Sequence, residues 1–193
     1  MLTLSIRHQI FIGLSLLLLM ITTRGHHFAT LEHLPSASWA VFLLAGLYLR
    51  PVWVFPALLT LAGSLDYAAI TWGGVSNFCA SPAYPMLLPA YGSLWLAGRW
   101  YAKHYHAHWS TVMPASLAIL LGATVCELFS SGGFYFLSGR FVDPTLTEFG
   151  ARFIQYFPGS LQSLLFYVTI AAVIHLLLVS IQNITTKHNR TRG

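Results

Sequence analysis

The chain has 193 residues, of which 56% are hydrophobic and 8% charged, and its mean hydropathy is +0.66. Soluble domains carry roughly 25% Asp, Glu, Lys and Arg, so five acids and ten bases cannot cover a 21.4 kDa surface in water. That comes close to excluding a water-soluble enzyme, and 15% aromatics argue equally against a disordered chain. The net charge of +5 and pI near 9.5 read as basic residues kept on the cytoplasmic side of a membrane, and no nucleic acid is expected as a partner.

A spanning helix needs about 20 mostly apolar residues. Six segments come near that length, at 4–23, 34–49, 52–72, 82–100, 111–129 and 160–181. The first resembles a signal peptide, but the chain stays just as apolar after it and it is kept as a helix. Arg50 and Pro51 end the second span, Pro56 and Asp66 lie in the third, and a long loop, 130–159, separates the fifth from the sixth. The reading is one all-α integral membrane domain over 1–193, a polytopic bundle of six transmembrane helices. No internal repeat and no low-complexity linker interrupts it.

Orientation follows from Lys and Arg near the span ends. With the N-terminus inside, Arg7, Arg50, Arg99, Lys103, Lys187, Arg190 and Arg192 are cytoplasmic, and Arg24, Arg140 and Arg152 are outside. Seven against three gives N-in and C-in. Asp66 then lies 14 residues into the third span, about 21 Å along at 1.5 Å per residue, in the outer third of the hydrocarbon core. Glu127 reaches a similar depth in the fifth.

An acid within a span is costly and by default marks a pathway or site. The other reading of Asp66 is a structural partner for a basic or backbone group at the outer interface. Glu127 lies at the end of its predicted helix beside Ser130 and Ser131, where it faces water. Cys79 stands in the sequence GGVSNFCASP at 73–82, with Ser81 as N-cap and Pro82 as first helical residue, or with Pro85 as the start and Tyr84 just outside. A helix N-terminus favours thiolate, the nucleophilic and soft metal-ligating form. Cys126, in the apolar body of the fifth span, reads as a small buried residue. His104, His106 and His108, like His26, His27 and His33, have no carboxylate or thiol companion that would make a metal site, and read as solvated loop residues. Ser93 and His175 are candidate partners in an intramembrane serine protease, but Leu94 and Trp95 follow the serine where that motif wants a glycine. Ser93 is better read as a small residue packing between helices.

These residues resemble a family. Six short helices, the minimal Arg50–Pro51 turn, Asp66 late in the third span, Cys79 before the fourth, Tyr84 shortly after and Arg152 in the last outer loop are similar to the BtuM family, the cobalamin-specific S-components of energy-coupling-factor transporters from Gram-negative bacteria. The resemblance implies an S-component-like bundle in the bacterial inner membrane that captures cobalamin on the periplasmic face for uptake. It implies Cys79 as axial ligand of the cobalt and agent of cyanide removal from cyanocobalamin, the one accessory catalytic role, with Asp66, Tyr84 and Arg152 as substrate-binding residues. Asp66 and Arg152 would meet the amide arms and nucleotide tail, and Phe78, Tyr67, Tyr84 and Tyr91 would line a broad mouth. Cobalamin is the transported ligand, and no other cofactor is implied. Gly13 is followed four residues on by Leu17, and Ser15 by Leu19, so the first span lacks the small-xxx-small face by which S-components dock on an energy-coupling module. A solitary transporter is therefore open. The alternative function is a membrane enzyme using Cys79 as nucleophile on an extracytoplasmic substrate, although no histidine follows Cys79 closely to act as base.

Overall fold

A computed structural model describes residues 4–24, 34–74, 81–106 and 108–190. Among them there are six α-helices and no strand: α1 Ile6–Arg24, α2 Ser38–Tyr48, α3 Val54–Trp72, α4 Leu87–His104, α5 Val112–Leu137 and α6 Leu146–Arg190. Short 3-10 turns, Tyr84–Met86 and Trp109–Thr111, lead into α4 and α5. Four segments are long and apolar enough to cross a bilayer: Ile6–Arg24, Val54–Trp72, Trp109–Leu137 and Leu146–Ser180. The protein thus has the helices of a multi-pass membrane protein. The other two helices differ from expectation. α2 has 11 residues, about 16 Å at 1.5 Å per residue, against the 16 positions expected at 34–49. α4, with Arg99 and Lys103 in its second half, falls outside that set.

α2 and α4 are instead the centre of the packing. Ala40, Val41 and Phe42 of α2 and Ala90 and Leu94 of α4 are fully buried. A Cβ on Gly46 would collide with the Trp95 carbonyl, and one on Gly98 with the Leu43 carbonyl. The two backbones therefore touch through reciprocal glycines, the close approach small residues permit where apolar burial cannot drive helices together. Gly122 of α5 faces Ala97 and Leu94 on the other side of α4, and Ser93 donates to the Gly122 carbonyl at 3.1 Å. Ser93 thus packs between helices. His175, its candidate catalytic partner, lies instead within 3.0 Å of the Tyr105 hydroxyl. Cys126 is fully buried in this core.

The tight turn between α2 and α3 is held from two sides. Arg99 donates to the carbonyls of Leu49 and Arg50 while its guanidinium lies 4.7 Å from the Trp95 ring, and the Arg50 amide donates to Gln9 of α1.

The expected loop at 130–159 is mostly helix. α5 runs on through Ser130, Ser131, Gly132 and Gly133 because the small residues are packing positions, with Gly132 under the Phe149 ring and Gly133 against Met86. Tertiary contact overrides their weak helix propensity. Glu127 is consequently interior, 2% exposed, and accepts a 2.6 Å hydrogen bond from Ser131; it does not face water. α6 begins 14 residues before the predicted start at 160 because Thr145 caps it. The Glu148 amide donates to the Thr145 hydroxyl, an S/T-x-x-E start. Pro158 is then carried inside a helix of 45 residues.

Candidate ligand-binding site

α1, α3 and α5 finish, and α2, α4 and α6 begin, at one end of the bundle. There a polar network crosses four helices and the 3-10 turn before α4. Arg24, the last residue of α1, donates from Nε to Asp66 Oδ1 and from one terminal nitrogen to Oδ2, both at 2.8 Å. Its other terminal nitrogen donates to the hydroxyls of Ser38 and Tyr91, each at 2.9 Å. Four of the five N–H groups a guanidinium offers are engaged. Tyr84 completes the set by donating to Asp66 Oδ2 at 2.8 Å. The Arg24 side chain is 9% exposed and that of Asp66 29%. A cation at the C-terminus of α1 is also favoured by the helix dipole.

Local structure explains why these groups meet. α3 carries Asp66 three to four turns from the Arg50–Pro51 corner. Ser81 turns the chain back, its hydroxyl accepting from the Ala83 amide, and Tyr84 opens the 3-10 turn before α4. Tyr91 follows seven residues later on the same face. Its ring stacks on the fully buried Phe42 at 4.4 Å and 8°, which fixes the hydroxyl toward Arg24. Thr23 joins the ends of α1 and α2 by accepting from the Ala37 amide.

The network borders an open cavity of about 500 Å³. Its walls are Arg24 and Tyr91, then Ser36, Ser38 and Trp39 at the start of α2, and Tyr156, Gly159, Ser160 and Ser163 on α6. The volume is that of a small-molecule site, and hydroxyls converging on an aromatic wall are what orients a ligand in one. A smaller, apolar crevice of about 110 Å³ lies between α3 and α4, bounded by Leu59, Ala62, Leu88, Tyr84 and Tyr91 among others.

Of the four sequence-predicted site residues, Asp66 and Tyr84 are brought together. Asp66 is, moreover, the partner of a basic group, the structural role that was its second reading. Arg152 is held elsewhere. It pairs with Glu148 at 2.9 Å one turn earlier on α6, and its guanidinium stacks over Phe141 at 4.7 Å and Tyr135 at 5.4 Å. Tyr135 donates to the second oxygen of Glu148 at 2.9 Å. Cys79 lies outside the described residues, as do Phe78, His26, His27 and His33. Tyr67 is largely exposed and meets Trp72 edge-on. His104 contacts the Trp100 carbonyl, and His108 accepts from the Ser110 amide. Among the described residues no group of three or more His, Cys, Asp and Glu is placed to hold a metal ion.

Sequence reasoning missed Arg24, which it used only as a marker of orientation. The signal was an arginine closing an apolar helix and an aspartate late in another, two opposite charges at the same depth of one bundle. No protein-family model matches the chain, and no characterised protein matches it.

Proposed function

We propose that the protein is a cobalamin-binding transport subunit of the bacterial inner membrane that captures its ligand at the Arg24–Asp66 end. The observation that carries the reading is the Tyr84–Asp66 hydrogen bond. It joins two of the residues of the BtuM-like pattern beside an open cavity walled by hydroxyls and aromatic rings, at the end of the bundle where residues 75–80, with Cys79, connect α3 to α4. In this reading all six helices belong to the membrane domain, N-in and C-in, and the short α2 is completed by its flanking segments. The cavity receives part of the ligand's periphery, and the corrin lies toward the open side. The Cys79 thiolate displaces cyanide from cobalt, forming a Co–S bond as the Co–C bond breaks and cyanide leaves with its electron pair. No oxidant or reductant is needed. Helix α1 lacks the small-residue stripe for docking on an energy-coupling module, and its exposed face, with Ile6, Ile10, Phe11 and Leu14, is as apolar as a lipid-facing side.

Titration of cyanocobalamin into the detergent-purified protein tests this reading. Saturable binding that weakens roughly tenfold or more in Asp66→Ala is expected, since that change removes the carboxylate that positions Arg24 at the cavity and a charged hydrogen bond is worth about 1.5–3 kcal/mol. No binding by the wild-type protein would refute it. For the topology, Lys103→Cys in a Cys79→Ala, Cys126→Ala background should label only from the cytoplasmic side.

A further inference from the structure

Among the described residues the wall of the cavity at the Arg24 end carries one formal charge, and that charge is already matched. Arg24 lines the cavity, but both oxygens of Asp66 are bonded to it from behind. Its cavity-side nitrogen donates to Ser38 and Tyr91. The α6 wall leads, one turn back from Tyr156, to Arg152, and that arginine is likewise matched by Glu148. The remaining polar side-chain groups around the cavity among the described residues are hydroxyls, which both donate and accept, and the Trp39 indole N–H, which only donates.

We propose that the Arg24–Asp66 pair makes this cavity a charge-neutral hydrogen-bonding subsite that takes uncharged polar groups, primary amides above all, and rejects carboxylates. An anion entering such a site gives up part of its water and finds no net positive charge among the described residues to replace it. The carboxylate of Asp66 also opposes it across the guanidinium. A primary amide finds donors and acceptors in the hydroxyls and brings no charge to desolvate. Arg24 is here a specificity-determining residue, and Asp66 acts on the cavity through it. The choice of amides rests on the cobalamin reading, whose ligand carries amide arms; the neutrality of the cavity does not.

Trp39 lines the cavity and reports on what enters without any corrinoid. Its fluorescence is isolated as the difference between the wild-type protein and Trp39→Phe. Acrylamide, a neutral primary amide, should quench this component at least fivefold more strongly than iodide, after scaling both to a free indole in the same buffer. Asp66→Asn leaves the Arg24 charge unmatched and should raise iodide quenching several-fold with little change for acrylamide. The double variant Arg24→Gln, Asp66→Asn, neutral again, should return iodide to the wild-type level, and it serves alone if the single variant does not fold. Equal quenching by iodide and acrylamide in the wild-type protein, or strong iodide quenching in the double variant, overturns the proposal. A second arm titrates cobalamin and a derivative with one amide hydrolysed to the acid. At least tenfold tighter binding of the amide form is expected, and equal affinities overturn the selectivity. Binding of neither removes the cobalamin reading, while the quenching contrast still decides the neutrality of the cavity.

Discussion

Two arginine–carboxylate pairs stand at the same end of this bundle, and they are built on opposite principles. Arg24 and Asp66 are 42 residues apart and bring α1 and α3 together, with Ser38, Tyr84 and Tyr91 using the remaining hydrogen-bonding capacity. Glu148 and Arg152 are four apart on α6, and their side chains are 51% and 37% exposed. The first pair is shielded and non-local, so removing one member strands a charge where water is scarce. The second is a solvent-screened helix pair of the kind that adds little to stability. Sequence alone ranks them the other way: Glu148 and Arg152 have the i, i+4 spacing a reader looks for, while Arg24 and Asp66 share no spacing at all.

The largest expected effect is therefore at Arg24. Arg24→Ala should destabilise the protein by about 3 kcal/mol, the lower end for a broken buried pair because Asp66 keeps some access to water. Thermal unfolding in detergent measures it. Arg24→Met, Asp66→Leu, which removes both charges, should be more stable than either single change. A double variant no better than the singles would mean that the charge pairing is not what holds α1 to α3.

Tyr84→Phe comes next. It deletes one hydrogen bond to a carboxylate that keeps its guanidinium, for a loss of about 1.5 kcal/mol. The smallest effect is at Glu148→Gln, which should leave the unfolding midpoint within measurement error at 0.15 M salt, where exposed charges are screened over about 8 Å. Arg152→Ala should likewise change stability little beyond its lost stacking on Phe141 and Tyr135, yet weaken cobalamin binding if Glu148 yields the guanidinium to the ligand. Arg152→Ala that binds cobalamin as the wild-type protein does would confine this arginine to the α6 pair.

The comparison also marks how far the sequence could be read. Six helices were visible because apolar runs stand out against Arg50–Pro51, Pro82 and the basic loops, but only four of them have the length and apolarity of a span. The true length of α2 was not, because residues 34–37 are apolar or small without being helical. Glu127 was misplaced because SSGG at 130–133 looks like a helix end; only the Met86 and Phe149 side chains that cover those glycines make it helix. The start of α6 was legible in Thr145 and Glu148, and was missed because Pro158 and Gly159 are stronger punctuation. In the site, Asp66 and Tyr84 were chosen by pattern and do meet, whereas the arginine that organises them is known only once α1 and α3 lie side by side.

The visible spectrum of bound corrin tests the central claim most directly, since it ties one sulfur to one metal. Purified protein mixed with cyanocobalamin should show a spectrum distinct from the free vitamin and release cyanide in equal amount to the corrin bound. Cys79→Ala should abolish both, and Cys126→Ala, whose thiol is buried in the α2–α4–α5 core, should abolish neither. An unchanged spectral shift and unchanged cyanide release in Cys79→Ala would contradict thiolate ligation of cobalt.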